Sequence, residues 1–230
     1  FYVNRCVLRY MSEAYKMLIE GVPAAMIENA ARAAGMPVGP LALTDETAVD
    51  LAQKIMHQTV RDLGEKAVDP GQMKLIDTLV DKFDRRGRKN GKGFYDYPQK
   101  PAKKTLWPGL KDLYPQKKAE EVDFEELKQR LLTVIALEAA RVMEERIVTD
   151  PREADVGSIL AFGFAPYTGG ALSYIDGIGA QKFVATAKRL QKKYGAEFKP
   201  PRLLLDMAEK GETFYERFDP YGKAEAKKAA

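Results

Sequence analysis

The amide side chain of Asn4 is the group whose type and position best fit direct participation in chemistry. It falls in the first turn of a predicted helix, on the face that carries Leu8, Met11 and Tyr15. A fixed amide N–H can stabilise negative charge that develops on an oxygen atom during a reaction. The alternative is that Asn4 only satisfies backbone groups at the start of the helix. We favour the catalytic interpretation.

The positions of the other potentially reactive side chains favour structural roles for them. His57 is the only histidine, and it shares its predicted helix face with polar and charged residues, as a surface histidine does. Cys6 is the only cysteine, so it cannot form an internal disulfide and fits a small core residue. The basic residues within 85–92 could attract a phosphate-rich ligand, but the glycines among them favour a solvated loop. Neither a metal site nor a catalytic pair of carboxylates is indicated.

Composition limits the class of protein. The 230 residues are 45% hydrophobic and 30% charged, an ordinary globular balance. No apolar run approaches the roughly 20 residues needed to span a bilayer. The net charge of +4 is small and the basic clusters lack interleaved aromatic residues, so we expect neither a nucleic-acid partner nor an integral membrane segment. The first residue is Phe1 rather than Met, so we expect a piece of a longer protein.

Apolar residues recur at helical spacing along nearly the whole chain. The first predicted helix ends at Gly21 and Pro23, and opposite its apolar face runs a polar stripe that includes Arg5 and Glu13. Further helices are predicted over residues 24–34 and 49–63, after Pro70 and from Phe124.

An internal repeat organises these helices. Residues 39–45, GPLALTD, match residues 170–176, GALSYID, and each segment is followed 19 positions after its aspartate by a glycine. The pair Phe94–Tyr95 recurs as Phe214–Tyr215. Polar landmarks of the first helix recur 125 positions later: Arg5, Glu13 and Glu20 match Arg130, Glu138 and Glu145. The chain therefore contains two copies of one helical unit.

The repeats predict the domain organisation. The predicted parts are a first repeat over 1–97, a linker rich in proline and lysine over 98–123, a second repeat over 124–218, and a flexible tail over 219–230. We expect an all-α fold in which the two repeats pack face to face about a pseudo-twofold axis as one bundle. The counterpart of Asn4 in the second repeat is Gln129, so only the first repeat should carry a site.

Three segments resemble the C-terminal domain of L-3-hydroxyacyl-CoA dehydrogenases. Residues 1–5, FYVNR, resemble the F-x-x-N-R segment that begins this domain. Residues 35–45, GMPVGPLALTD, are similar to G-x-P-M-G-P-x-x-L-x-D, with Val38 where the family often has Met. Residues 87–95, GRKNGKGFY, resemble the G-x-K-x-G-x-G-F-Y motif. The combination is specific, whereas any one motif alone would be weak.

The second repeat points to the multifunctional enoyl-CoA hydratase/3-hydroxyacyl-CoA dehydrogenase type. Residues 153–157, EADVG, and 163–171, GFAPYTGGA, resemble the second repeat of these enzymes, whereas short monofunctional dehydrogenases have one copy per chain. The resemblance covers about residues 1–218. It implies an all-α fold like the C-terminal domain of 6-phosphogluconate dehydrogenase, and a role in fatty-acid β-oxidation in the bacterial cytoplasm.

The resemblance also implies where the chemistry is divided. In the family, an upstream Rossmann domain binds NAD and carries a catalytic His–Glu pair. This chain has no G-x-G-x-x-G segment after a strand, so we expect NAD to be bound by the parent enzyme outside this chain, and the chain alone to be inactive. Asn4 matches the family asparagine that faces the cleft and orients the 3-oxygen or thioester of an acyl-CoA substrate.

The segment around Gly39 and Pro40 has two interpretations. The family places it near the acyl pocket, so the resemblance implies a minor role in substrate binding. A glycine and a proline also mark a turn into a helix, and Asp45 can cap the segment that follows. The second copy keeps a similar pattern although its helix lacks the asparagine, which favours the structural interpretation.

Two other functions stay open. The chain could be a helical interaction module that holds a multifunctional β-oxidation enzyme together or docks a thiolase subunit, and this role can coexist with the enzymatic one. It could also belong to a dehydrogenase acting on other hydroxy acids, although residues 91–95 and the duplication argue against this.

Overall fold

The structure, a computed structural model, describes residues 1–99 and 101–219. Residues 220–230 of the predicted tail lie outside this range. The helices of the first predicted repeat are α1 (Tyr2–Ile19), α2 (Ala24–Ala33), α3 (Pro40–Thr47), α4 (Val49–Leu63) and α5 (Pro70–Asp77), the last continued by a π-helical segment, Thr78–Lys82. Strands β1 (Tyr95–Asp96) and β2 (Thr105–Leu106) form an antiparallel pair.

The second predicted repeat follows the same order. A short helix, α6 (Leu110–Leu113), precedes it, and its helices are α7 (Phe124–Glu144), α8 (Pro151–Phe162), α9 (Ala171–Ile178), α10 (Ala180–Tyr194), α11 (Arg202–Lys210) and α12 (Phe214–Arg217). Helices α3 and α9 both have 8 residues, and α4 and α10 both have 15. Because two two-residue strands are the extended elements of the described chain, the all-α prediction is confirmed. The pseudo-twofold arrangement stays a prediction.

Helix ends follow from local chemistry. The side chain of Asp69 accepts the backbone N–H of Gln72 over 2.9 Å, and Pro70 occupies the first helical position of α5. The second repeat uses the same device at the start of α8, where Asp150 accepts the backbone N–H of Arg152 over 2.9 Å. Such a cap satisfies a donor that the helix leaves unpaired, and proline there loses no hydrogen bond.

The described chain divides into two compact units whose boundaries cross the repeats. One unit contains Phe1–Tyr10, Ala34–Pro37 and the chain from Gln129 onward, and the other contains Met11–Ala33 and Val38–Lys128. The first half of α1 therefore packs among helices of the second repeat. For example, the buried Cys6 places its sulfur 4.0 Å from the carbonyl oxygen of Ile135.

The segment predicted as a linker is ordered where it meets the first repeat. The backbone N–H of Trp107 donates to the carbonyl oxygen of Phe94 over 2.9 Å. The indole ring lies 4.9 Å from the ring of Phe83 and 4.2 Å from the guanidinium carbon of Arg85. Trp107 thus fastens this segment to its neighbours. The boundaries of the segment stay a prediction.

One expectation about α1 is wrong, and a second needs detail. Glu13 was placed on a polar stripe opposite the apolar face, but its side chain is buried. Asn4 is predicted to share a face with Leu8, Met11 and Tyr15. In the structure Met11 and Tyr15 are buried, whereas Asn4 and Leu8 are exposed. The cause is tertiary, because the two halves of α1 belong to different compact units.

Candidate functional site

The Asn4 side chain lies exposed at the start of α1. Within the described residues, no hydrogen bond reaches its amide group. Leu8, one turn further along the same face, is 42% exposed. An exposed amide without a partner does not behave as a helix cap, which bonds a backbone N–H of its own helix. Asn4 is therefore free to contact a group from outside the described chain.

The neighbours of Asn4 are firmly held. The hydroxyl of Tyr2 donates to the carbonyl oxygen of Ala154 over 3.0 Å, and the Tyr2 ring packs edge-on against Phe162 with centroids 5.8 Å apart. Arg5 donates from Nε to Glu138 over 2.6 Å and pairs through both terminal nitrogens with Glu145. The first turn of α1 is thus fixed on both sides of Asn4 while the amide stays exposed.

Glu138 is the centre of a cluster of three arginines. Its carboxylate is buried, and it accepts hydrogen bonds from Arg5 over 2.6 Å, Arg9 over 3.1 Å and Arg141 over 2.7 Å. Burial works to raise the pKa of Glu138, but the guanidinium groups outweigh it and hold the pKa below its ordinary value. Glu138 is the repeat counterpart of Glu13, and its ion pairs with the three arginines favour a structural role.

The counterpart of Asn4 in the second repeat is occupied. Gln129, near the start of α7, accepts a hydrogen bond from Arg189 through its side-chain oxygen. The two repeats therefore differ at this position, because the side-chain oxygen of Gln129 is bound whereas the Asn4 amide has no hydrogen bond within the described residues. That only the first repeat carries a site stays a prediction.

Gly39 and Pro40 form the turn into α3. Gly39 is the residue before the helix and Pro40 its first residue, and both are buried. Glu28 reaches this turn from α2 and accepts the backbone N–H of Leu41 over 2.8 Å. A Cβ atom at position 39 would lie within 3.0 Å of the Glu28 carboxylate, so the position requires glycine. These contacts support the structural interpretation, and a contact with substrate stays a prediction.

Asp45 does not cap the next helix, contrary to the prediction. It lies inside α3, and α4 starts after Ala48 without a side-chain cap. Its carboxylate instead accepts the backbone N–H groups of Phe94 and Tyr95 over 2.7 and 2.8 Å. Burial raises the pKa of Asp45 to about 6, although these hydrogen bonds work to lower it. The N–H groups that donate to this aspartate are 49 or more residues away in sequence, which local capping rules do not reach.

The second repeat has the same arrangement. Asp176 of α9 accepts the backbone N–H of Phe214 over 3.0 Å, and burial raises its pKa to about 6. Asp155 of α8 accepts the backbone N–H of Leu172 over 2.7 Å, at the start of α9. Glu28 and Asp155 were missed as a pair. One signal in the sequence could have revealed them. A carboxylate lies within the short, largely apolar α2 helix and recurs at the matching place in α8.

The remaining polar candidates are tied to neighbouring carboxylates. His57 is half-exposed, with Nε2 2.9 Å from Asp77 Oδ1, in line with its prediction as a surface residue. In the basic loop, Arg88 pairs with Glu46 over 3.1 Å. Arg85, grouped with that loop, is instead buried and donates to the carbonyl oxygen of Gly93 over 2.5 Å. These pairings favour a structural role for the loop over attraction of a phosphate-rich ligand.

The described residues hold no group of three or more histidine, cysteine, aspartate or glutamate side chains placed to bind a metal ion. No helix among them is long and apolar enough to cross a membrane. An NAD-binding domain needs parallel strands followed by a glycine-rich turn into a helix. The one two-stranded antiparallel sheet of the described chain does not fit this requirement.

These features define a helical domain with the exposed amide of Asn4 on an anchored helix turn. Residues 1–97 match the family model described as 3-hydroxyacyl-CoA dehydrogenase, C-terminal domain. Residues 1–97 are therefore similar to this C-terminal domain, which confirms the resemblance drawn from the motifs.

Relatives extend the similarity to nearly the whole chain. The fatty acid oxidation complex subunit alpha of Shewanella loihica is 40% identical over 219 residues, and that of Shewanella amazonensis is 39% identical over 216 residues. Each alignment covers 94% of this chain and 30% of the relative. The chain thus spans about a third of the length of the curated relatives it matches.

Solved structures show the same fold. The 3-hydroxybutyryl-CoA dehydrogenase of Escherichia coli matches with a TM-score of 0.66 and 20% identity, over 92% of this chain and 60% of that one. The dehydrogenase part of multifunctional enzyme 1 from C. elegans matches with a TM-score of 0.65 and 18% identity, over 88% of this chain and 46% of that one. At these identities the likeness concerns the fold.

Proposed function

We propose that this chain completes the active site of an NAD-dependent L-3-hydroxyacyl-CoA dehydrogenase of fatty-acid β-oxidation, which oxidises 3-hydroxyacyl-CoA to 3-oxoacyl-CoA. The observation that carries the proposal is the free amide of Asn4, exposed on a turn whose neighbouring residues are anchored. Rigid placement is what a group that orients a reacting atom requires.

Asn4 would act as a hydrogen-bond donor to the substrate. Its side-chain N–H groups can donate to the 3-oxygen or to the thioester oxygen, and a donor already in place stabilises charge on oxygen without reorganising. No described residue competes with a substrate for this amide, because none of them forms a hydrogen bond with it. The general base and the NAD site belong, in this proposal, to a Rossmann domain of the parent enzyme.

The proposal predicts that the 230-residue chain alone is inactive. Reduction of acetoacetyl-CoA by NADH, followed at the nicotinamide absorbance, should stay at background with the purified chain. Turnover by this chain would contradict the assignment of NAD binding to another domain. Restoration of turnover on joining the chain to its NAD-binding domain, and its loss with Asn4→Ala, would support the proposal.

A second role, as a helical interaction module of a multifunctional complex, rests on exposed apolar side chains. On α4, Leu63 is 75% exposed and Leu51 is also exposed, and on α8, Leu160 is 80% exposed beside Val156. In α10, the counterpart of α4, the apolar residues Phe183 and Leu190 are buried. Apolar patches on helices are typical of interaction surfaces. A thiolase subunit is the partner we propose.

The interaction role can be tested separately from catalysis. Leu160→Glu should weaken co-sedimentation with the thiolase subunit while leaving the melting temperature unchanged, because an exposed residue contributes little to folding. Unchanged co-sedimentation for Leu160→Glu and for Leu63→Glu would contradict the proposed interaction role. A location in the bacterial cytoplasm belongs to the same proposal, since its relatives are bacterial subunits of fatty acid oxidation.

A further inference from the structure

We propose that Glu138, a residue of the second repeat, is a positioning residue for Asn4 and acts through Arg5. This inference rests on the proposed function of Asn4. It assigns the second repeat a definite task, which is to hold the turn of the first repeat that presents the amide.

The first turn of α1 needs an external anchor. The first N–H groups of any helix have no partner within the helix, so the end turn frays unless other contacts hold it. In α1 the backbone bond from Arg5 N–H to the carbonyl oxygen of Phe1, 3.1 Å long, closes that turn, and Phe1 itself is exposed. A side chain at position 4 is therefore only as well placed as the residues on either side of it.

Glu138 supplies the buried part of the anchor. One carboxylate oxygen accepts from Arg5 Nε over 2.6 Å, and the other accepts from Arg9 Nε over 3.1 Å, one turn further along α1. Two successive turns of α1 are thus bound to one side chain. Because Glu138 is only 2% exposed, its carboxylate has little access to water that could replace these bonds. Glu145 also pairs with Arg5, but the Glu145 side chain is 47% exposed. Ion pairs that are exposed to solvent contribute little to stability.

The carboxylate of Glu138 is itself fixed. Arg141 donates to it over 2.7 Å and, with its other terminal nitrogen, donates to the carbonyl oxygens of Glu197 and Lys199 over 2.7 and 2.9 Å. The anchor therefore connects the first turn of α1 to the loop that follows α10. The lowered pKa of Glu138 keeps the carboxylate ionised at neutral pH, so the anchor persists where the enzyme would work.

The duplication supplies a matched control. Glu13 occupies the place of Glu138 in the first repeat, and it is equally buried at 2% exposure. Gln129, the counterpart of Asn4 in the second repeat, accepts a hydrogen bond from Arg189 through its side-chain oxygen. Removing the charge of Glu13 should therefore disturb packing about as much as removing that of Glu138, without a specific effect on Asn4.

The first experiment measures backbone order in the 230-residue chain by amide hydrogen exchange. Glu138→Gln should speed exchange in residues 5–8 of α1 by roughly tenfold or more, since local opening then no longer breaks the charged anchor. Arg5→Lys keeps the charge but loses the forked geometry, and should give a smaller change in the same residues. Glu13→Gln should leave these residues unchanged. Unchanged exchange in Glu138→Gln would overturn the proposal, whatever Asn4 does.

The second experiment measures turnover in the full-length enzyme that carries this chain. Glu138→Gln should lower kcat by roughly 10-fold to 100-fold, with a smaller change in KM, because slight misplacement of an orienting group costs rate. In an Asn4→Ala background the same change should have no further effect, because residues acting as a unit are not additive. Arg5→Lys, which preserves folding better, should show the same dependence on Asn4.

The outcomes separate the two proposals. Equal losses of kcat in Glu138→Gln and Glu13→Gln, or additive losses with Asn4→Ala, would mean that Glu138 serves stability alone. If exchange in residues 5–8 responds to Glu138→Gln but Asn4→Ala leaves kcat unchanged, the anchor is real and the proposed function of Asn4 fails. Non-additive loss of kcat together with faster exchange supports both.

Discussion

The carboxylate of Asp45 in α3 accepts the backbone N–H of Phe94 over 2.7 Å, at the entrance to β1. Asp176 in α9 accepts the backbone N–H of Phe214 over 3.0 Å. In each repeat, a helix aspartate thus binds the backbone of the Phe–Tyr segment near the end of that repeat. In the first repeat the approach is close enough that a Cβ atom on Gly93 would overlap Asp45. Gly93 and Asp45, which belong to two different sequence motifs, therefore form one structural unit in the folded chain.

The first prediction concerns pH. The pKa of Asp45 rises from 3.8 to about 6 on folding, so its contribution to stability is complete below about pH 4 and is lost as the pH rises through 6. Asp45→Asn should therefore lower the free energy of unfolding more at pH 4 than at pH 7, with a slope of at most about 1.4 kcal/mol per pH unit. Urea unfolding at four pH values measures this difference.

Two variants control the pH experiment. Asp176→Asn should follow the same direction, because burial raises that pKa to about 6 as well. Glu138→Gln should follow the opposite direction, because the pKa of Glu138 is lowered and its contribution is lost as the pH falls. A cost of Asp45→Asn that grows toward pH 7 would show that the hydrogen bonds outweigh burial.

The second prediction concerns Asn4 in the full-length enzyme. Asn4→Ala should lower kcat by roughly 10²–10³, the loss typical of a donor to a developing oxyanion, and leave the melting temperature nearly unchanged. A helix cap would behave in the opposite way, with a loss of about 1 kcal/mol in stability and no change in rate. Gln129→Ala is the matched control, since its amide is bound to Arg189. Similar, near-wild-type kcat values for both variants would contradict the catalytic role of Asn4 and favour a structural one.

The third prediction concerns two glycines. Gly39→Ala should lower the free energy of unfolding by about 1–3 kcal/mol, because the new methyl group would overlap the buried Glu28 carboxylate. Gly177→Ala, inside α9 with no atom within 4 Å of the added Cβ, should instead raise it by about 0.4–1 kcal/mol. Thermal and urea unfolding of the two variants give the comparison. Equal effects would contradict the steric explanation.

The fourth prediction concerns truncation. A chain that ends at Pro98 loses the residues that pack on the start of α1, so the buried side chains of Tyr2 and Cys6 become exposed. We expect such a chain to aggregate or to lose helicity, because exposed apolar surface promotes association. Sedimentation and circular dichroism would show this. A monomer with unchanged helicity per residue and a sharp thermal transition would argue that the first repeat folds independently.

Local patterns predicted much of this protein from sequence. Helical spacing and the stops at Gly21 and Gly64 located α1 and α4, because apolar periodicity and glycine act within a few residues. The constant offsets between motifs revealed the duplication, and the order of helices in the two halves follows it. The motifs also predicted the similarity to the dehydrogenase C-terminal domain, whose family model matches residues 1–97.

Tertiary structure alone decided which polar groups are buried, bound or free. Sequence placed Asp45 as a cap for the next helix, yet its partners are about 50 residues away. It placed Asn4 beside an apolar stripe, yet the stripe is buried at Met11 and exposed at Leu8. A hydrogen bond or a change in burial depends on which distant segment arrives at a side chain, and periodicity along one helix carries no information about that segment. The anchor from Glu138 to Arg5, 133 residues apart, exists for the same reason only in the folded chain.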